Sequence, residues 1–173
     1  MRFFISDLHL GDKNILKTEN RPFCDVDEMF EVLIEKWNSV VKPEDEVFVV
    51  GDIVGLRPCS NDEIKDFFNR VNGKVTVVAG NHDKGIIDFL RSIGLVVYEY
   101  PIFLDNFWIV SHEPMYLMNK GPYANIFGHV HGNPMYKKVS NRSFCVCVER
   151  NNYTPVSFDE IYQKVLEEDY KDD

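Results

Sequence analysis

Runs of apolar residues that end abruptly in polar side chains recur along the chain. Residues 47–50 are four consecutive apolar positions, and they lead directly into Gly51 and Asp52. Such a run predicts a strand that is buried on both faces, as in a parallel sheet. Ligands in open α/β sheets bind beyond the carboxyl ends of the strands, so side chains at such ends are predicted to converge. Four other runs end in the same way, at Asp7 and His9, at Asn81, His82 and Asp83, at His112, and at His129 and His131.

Helical patterns lie between these strands. Apolar residues at helical spacing occupy positions 29–41 behind Asp25, a residue type that favours a helix N-cap. Capping boxes at 60–63 and 157–160 predict two more helices, and a short helix is expected around 85–93. After position 94 the pattern changes to consecutive strands, with a turn at 105–106 and a pair of strands at 135–139 and 143–149. Positions 10–24 are predicted to form a long polar loop.

Together these elements predict an α/β fold in which mixed sheets lie inside and helices lie outside. The 173 residues are long enough for one proper core and too short for two comfortable ones, so a single domain over 1–173 is expected. The four cysteines lack the spacing of a zinc site and are interpreted as small buried side chains.

The charge balance narrows the possible partners. A net charge of −9 argues against extended nucleic-acid binding, which requires a basic face. It does not exclude a small anionic substrate, because a bound cation reverses the local field. No apolar run is long enough to span a bilayer, and the N-terminus lacks the layout of a signal peptide. No membrane partner is therefore expected, the cytoplasm is the expected location, and the oligomeric state is left open.

The polar residues at the strand ends are good ligands for divalent cations. Residues two apart in an extended segment present both side chains on one side, as in the pairs at 7 and 9 and at 129 and 131. Asp52 has two oxygens and can bridge two metals, and Asn81 offers a neutral oxygen that suits harder cations. We therefore predict two divalent cations, manganese first, with iron, zinc, nickel or cobalt as alternatives. The predicted ligands are Asp7, His9, Asp52, Asn81, His112, His129 and His131.

The charge of such a centre favours a small phosphate ester as substrate. Two divalent cations carry more charge than Asp7, Asp52 and a bridging hydroxide neutralise, and two metals can clamp both oxygens of an in-line displacement. The predicted reaction is hydrolysis of a phosphodiester, or a phosphomonoester, by direct attack of a metal-bridging hydroxide, with Asp52 as the shared catalytic ligand. His82, directly after a ligand, is predicted to protonate the leaving group or to stabilise developing charge. A further ligand or a structural turn residue is the alternative for His82.

Four residues are candidates for contacting the substrate. Asn14 and Arg21 belong to the predicted loop and could reach a phosphate from it, or could simply be solvated. Tyr116 lies beyond His112, in a stretch that could form an apolar lip over the cleft, a packing surface or a dimer surface. Arg57, in the segment 51–57 that follows the second strand, is the fourth candidate.

As a set, the strand ends resemble the signature blocks of the calcineurin-like metallophosphoesterase superfamily. The matching sequences, in order, are Asp7-Leu-His9, Gly51-Asp52, Gly80-Asn81-His82-Asp83, His112 and Gly128-His129-Val-His131. The resemblance implies a four-layer α/β/β/α sandwich with two bound metals. It also implies that Asp7, His9, Asp52 and His131 bind one metal, and that Asp52, Asn81, His112 and His129 bind the other. The sequence around the first block is similar to that of a small stand-alone bacterial and phage branch of phosphoesterases.

The chain departs from the protein phosphatases of this superfamily at the second block. Those enzymes have a carboxylate, which orients the catalytic histidine, at the position of Gly55. Their third block ends in Glu, where this chain has Asp83. Both differences favour a phosphodiesterase or small-molecule phosphatase, and they leave the orienting partner of His82 unassigned. The alternatives are a nuclease for short nucleic acids and a non-catalytic binding module on the same fold.

Overall fold

The parallel apolar runs form the centre of the first of two sheets. The computed structural model describes residues 1–56, 59–118, 121–136 and 139–169, and side chains through residue 166. The first sheet has the order β4-β3-β2-β1-β9, in which β1 to β4 are parallel and β9 is antiparallel to β1. Its strands are β1 (Arg2–Ile5), β2 (Glu46–Val49), β3 (Lys74–Val78), β4 (Val96–Tyr98) and β9 (Val156–Ser157).

The second sheet comes from the part of the sequence where strands follow one another directly. Its order is β5-β6-β7-β8, in which β5 pairs antiparallel with β6 while β6, β7 and β8 are parallel. Asp105 and Asn106 both have a positive φ and form the predicted tight turn between the first two of these strands. The strands are β5 (Ile102–Leu104), β6 (Trp108–Ser111), β7 (Ala124–Phe127) and β8 (Ser143–Cys145).

The described residues form five helices, and the two larger of the apolar clusters pack the layers together. The helices are α1 (Lys13–Thr18), α2 (Val26–Val40), α3 (Asn61–Arg70), α4 (Ile87–Ser92) and α5 (Phe158–Asp169). The first cluster joins one face of the first sheet to helix residues such as Trp37, Phe67 and Leu90, and the second fills the space between the sheets, where Phe4 stacks on Phe48. The predicted α/β sandwich with mixed sheets is confirmed.

Two sequence predictions about local structure are wrong. Residues 13–18 are not loop but form α1, because the Asp12 carboxylate caps the helix by accepting a hydrogen bond from Asn14 N, and Ile15 is buried. The strand pair at 135–149 is also absent from the described residues: 134–136 and 148–150 form 3-10 turns, and β8 pairs with β7 instead. The Arg150 guanidinium donates to three carbonyl oxygens of the 131–136 segment, which holds it as a compact loop.

In the described part of the chain, no helix is both long enough and apolar enough to cross a membrane.

Candidate metal centre

The loops after β1 and β2 continue to pair beyond the ends of their strands. Asp7 N donates to Gly51 O at 3.0 Å, and His9 N donates to Asp52 O at 3.1 Å. Because the two strands are parallel neighbours, both loops leave the sheet at the same edge. The side chains at positions 7, 9 and 52 are thereby brought to one place.

The backbone of this region is held in an unusual conformation. Five of the seven predicted ligands have a left-handed backbone with φ between 47° and 72°, which is uncommon and costly for residues other than glycine. Such conformations persist only where the surrounding structure enforces them, and they concentrate at functional sites. The five residues are Asp7, His9, Asp52, His129 and His131.

The first group of donors consists of Asp7, His9 and His131, whose ligand atoms all lie within 4.8 Å of one another. His131 Nε2 is 3.7 Å from Asp7 Oδ1. His9 Nε2 is 3.7 Å from Oδ2 of Asp52, which brings Asp52 to the edge of this group. The Asp7 carboxylate is fixed by hydrogen bonds from His129 N at 3.0 Å and from the hydroxyl of Ser6.

The second group consists of Asp52, His112 and His129, and Asn81 joins it. His112 Nε2 lies 3.3 Å from Asp52 Oδ2, 3.1 Å from Asn81 Oδ1 and 3.2 Å from His129 Nδ1. His129 Nδ1 is itself 3.1 Å from the same Asn81 oxygen. Asp52 therefore lies between the two groups.

The chemistry of these donors fits bound cations. Both ring nitrogens of His9 are buried without a hydrogen-bond partner among the described residues, a costly arrangement that a metal ligand relieves. Burial lowers the pKa of His9 to about 3, so the ring is neutral, which is the form that binds metal. His112 Nδ1 is 2.9 Å from Val50 O and donates to it, which leaves the lone pair of Nε2 facing the carboxylate. Burial opposes protonation of His112, but the Asp52 carboxylate raises its pKa to about 9, so without a metal Nε2 carries a proton, and a bound cation would take the place of that proton.

Asp83 supports the turns that carry two of the candidate ligands, a role that the sequence alone did not indicate. Its buried carboxylate accepts hydrogen bonds from Asp52 N at 2.8 Å, Ile53 N at 2.9 Å and Gly80 N at 2.9 Å. Burial raises the pKa of Asp83 to about 6. The carboxylate joins the turn that carries Asp52 to the turn that carries Asn81, and thereby sets the distance between two ligands.

Arg21 and Glu149 form a buried ion pair that supports His131 and the loop after β1. The Arg21 side chain is fully buried and donates to Asp7 O at 2.7 Å, to Leu8 O at 2.9 Å and to Glu149 Oε1 at 2.5 Å. Glu149 Oε1 is also 3.0 Å from His131 Nδ1, so it orients that ring with Nε2 toward Asp7. Burial alone would raise the pKa of Glu149, but His131 and Arg21 lower it to about 2. This differs from the expected substrate contact of Arg21, because its guanidinium is engaged below the ligand loops.

Asp12 occupies the space that the missing side chain of Gly55 leaves open. A Cβ added to Gly55 would stand 2.7 Å from both Cβ and Cγ of Asp12. Asp12 is buried, and its Oδ2 lies 3.9 Å from His9 Nδ1. The turn before α1 thus places a carboxylate beside Gly55 and close to His9.

We expect Gly55→Ala to destabilise the protein by about 1–3 kcal/mol, because the added methyl group overlaps the Asp12 side chain. Urea unfolding would measure the loss. Gly85→Ala is the matched control, since a Cβ there meets no atom within 4 Å. In an Asp12→Gly background the cost of Gly55→Ala should shrink, and an unchanged cost would show that another contact is responsible.

His82 lies beside the centre and is part-exposed. Its backbone N donates to Asp52 Oδ1 at 3.0 Å, and its Nε2 is 3.9 Å from Asp52 Oδ2. The ring packs edge-on against His9, with centroids 5.5 Å apart. His82 is outside both groups of donors, where a side chain that serves the reaction rather than the metals is expected.

Comparison with known proteins identifies the family. The family model described as calcineurin-like phosphoesterase matches residues 3–170. The chain belongs to the calcineurin-like phosphoesterase family. This membership supports metal-dependent phosphoester hydrolysis as the general activity of the chain.

The relatives of this chain match its length to different extents. An uncharacterized protein of Methanocaldococcus jannaschii is 32% identical over 169 residues, which is 94% of this chain and 90% of that protein. The gene 66 protein of Mycobacterium phage L5 is 32% identical over 81 residues, 47% of this chain and 39% of that protein. A protein of unknown function from Aquifex aeolicus shares the fold, with a TM-score of 0.74, 24% identity and coverage of 94% of this chain and 98% of that one.

The remaining candidates for substrate contact lie in different places. Asn14 is exposed in the first turn of α1, and Tyr116 is 88% exposed. Arg57 lies outside the described residues. The substrate contacts of Asn14, Arg57 and Tyr116 stay predictions.

Two cavities lie beside the candidate metal centre. One, of about 300 Å³, is bounded by Asn81 and His112. The other, of about 540 Å³, is bounded by His129 and His131. Their described lining includes Met115 but not Tyr116, so only part of the predicted apolar lip reaches a cavity. A substrate bound at the centre has room on either side.

Proposed function

We propose that this protein hydrolyses a phosphodiester with the help of two divalent cations, manganese being the first choice. The observation that carries the proposal is the pair of donor groups that share Asp52, with the unpartnered nitrogens of His9 buried among them. The mixture of carboxylate, amide and imidazole donors suits manganese and its neighbours. When bound, such cations polarise phosphoryl oxygens and make hydroxide available at neutral pH.

The residues of the chain are already arranged for this chemistry. The backbone N–H of Asp52 donates to the Asp83 carboxylate, and the backbone N–H of His82 donates to the Asp52 carboxylate. Because Asp52 is fixed in this way, it needs no rearrangement to bind metal. Glu149 and Arg21 hold the His131 ring in one orientation. This preorganisation supports catalysis at the centre over a purely structural metal site.

The charges around the cleft favour a diester over a monoester. Glu19 and Glu113 line the cavity beside His129 and His131. A phosphodiester carries one negative charge near pH 7, whereas a monoester approaches two and is repelled more strongly by these carboxylates. A diester also has a second organic group, for which the flanking cavities offer space.

Hydrolysis of bis(p-nitrophenyl) phosphate by the metal-free and the manganese-loaded protein tests the proposal. We expect turnover only with metal, together with an increase in melting temperature, since binding to the folded state stabilises it. Stabilisation without turnover would support the non-catalytic binding module instead. Nicking of a supercoiled plasmid or of an oligonucleotide at a comparable rate would favour the nuclease. Absence of both turnover and stabilisation with manganese, nickel, cobalt or zinc would refute a metal-dependent enzyme.

We propose that His82 donates a proton to the leaving oxygen. Its position beside both donor groups, part-exposed and 3.9 Å from Asp52, supports this role. His82→Ala should lower kcat by about 10²–10⁴-fold, the usual contribution of a general acid, and leave the manganese-induced increase in melting temperature intact. A variant that loses metal binding as well would make His82 a ligand.

A further inference from the structure

We propose that the cavity beside His112 binds a planar aromatic group of the phosphate-ester substrate. The inference rests on the proposed function and adds the class of substrate. The cavity shares Asn81 and His112 with the second group of donors, so an organic group within it can be attached to a phosphate at the centre. Its volume of about 300 Å³ is at the lower end of ligand pockets and accommodates about one ring system with its ester.

Part of the lining of this cavity is suited to a flat apolar group. It is formed by Tyr100, Pro101 and Met115. Tyr100 is 80% exposed, which leaves a large ring face available for stacking. The thioether of Met115 is also a favourable neighbour for an aromatic ring. These side chains would gain contacts from an aromatic group that a methyl or ethyl ester could not supply.

The charges distinguish this cavity from the one on the opposite side. Lys84 lines it, and among the described residues no carboxylate pairs with the Lys84 ammonium. Glu99 also lines it, but its carboxylate is engaged by Arg91 at 2.8 Å. Glu113 lines both cavities and does not discriminate between them.

The opposite cavity is less favourable for an anionic ester. It carries Glu19, and its described lining contains no lysine or arginine. The negatively charged phosphate and the group attached to it are therefore better accommodated on the side of Lys84. The substrate would lie with its aromatic group over Tyr100 and its phosphate between Lys84 and the donors.

Calorimetric binding of methyl phenylphosphonate and methyl methylphosphonate, which carry one negative charge as a phosphodiester does, to the manganese-loaded protein tests this assignment. We expect methyl phenylphosphonate to bind about fivefold to tenfold more tightly, the usual gain from one aromatic contact. Tyr100→Ala should remove that advantage and leave methyl methylphosphonate binding unchanged. Tyr136→Ala is the matched control, because Tyr136 is exposed and lines the opposite cavity. Lys84→Gln should weaken both ligands about threefold, as expected for one exposed charge.

Each result supports or overturns the assignment. Equal affinities for the two phosphonates, or an advantage that survives Tyr100→Ala, would overturn it while methyl methylphosphonate binding still supports the proposed function. Loss of the advantage in Tyr136→Ala would place the aromatic group in the opposite cavity. If neither phosphonate binds and bis(p-nitrophenyl) phosphate is not hydrolysed, the proposed function itself fails, and the aromatic subsite fails with it.

Discussion

Asp52→Asn should abolish phosphoester hydrolysis and metal binding together. The carboxylate is within 3.3 Å of His112 Nε2 in one group of donors and 3.7 Å of His9 Nε2 in the other, so it is the ligand that both groups share. An amide of the same shape keeps one oxygen but loses the negative charge that two cations require. We expect activity to fall by about 10³-fold or more, and the manganese-induced increase in melting temperature to disappear.

The metal-free Asp52→Asn protein should nevertheless be folded. The backbone N–H of Asp52 still binds Asp83, and the asparagine side chain, which has the same shape, can still accept the hydrogen bond from His82 N. Asp105→Asn is the matched control, since Asp105 is exposed, pairs with Arg2 and lies on a tight turn that asparagine tolerates. A variant that still binds two manganese ions per chain by calorimetry would contradict the shared-ligand assignment.

The sequence predicted best those features that arise from local patterns. Buried strands appear in the sequence as runs of apolar residues, and parallel strands end at a common edge of their sheet. The seven predicted ligands, which follow such runs, could therefore be expected to lie near one another. The helix N-caps at Asp25 and Ser60 were likewise predictable, and both side chains accept the expected hydrogen bonds. These features need only the spacing of residues along the chain.

Features that depend on contacts between distant segments could not be read in this way. Arg21 looked like a loop residue that could reach a phosphate, but its partner Glu149 is 128 positions away, and only the fold shows that the pair is buried. Asp12 fills the space above Gly55, a relation that no local pattern reveals. The strand pair predicted around 135–149 failed because contacts from Arg150 fix the 131–136 segment in a compact form. Sequence reasoning thus grouped the candidate ligands but did not find the side chains that support them.

Arg21→Met should destabilise the protein by about 3–5 kcal/mol, because it leaves the buried Glu149 carboxylate without its cation. For a chain of this size the melting temperature would fall by about 10 °C or more. The loss should extend to the metal centre, since Glu149 orients His131 and Arg21 supports the backbone carbonyl of Asp7. We expect manganese affinity to fall about 10- to 100-fold, the usual effect of removing a residue that supports a metal ligand.

Two further variants distinguish the buried Arg21–Glu149 pair from an ordinary surface ion pair. Arg70→Met removes the same charge from an exposed arginine, which makes two hydrogen bonds of 2.6–2.7 Å to Glu31, and should cost less than about 1 kcal/mol with no effect on manganese binding. Arg21→Met combined with Glu149→Gln should recover much of the stability, because it removes the unpaired charge and keeps an oxygen that can accept from His131 Nδ1. If Arg21→Met proves as mild as Arg70→Met, the guanidinium does not hold the ligand loops in place. If the double variant is no more stable than Arg21→Met alone, the unpaired carboxylate is not the cause of the loss.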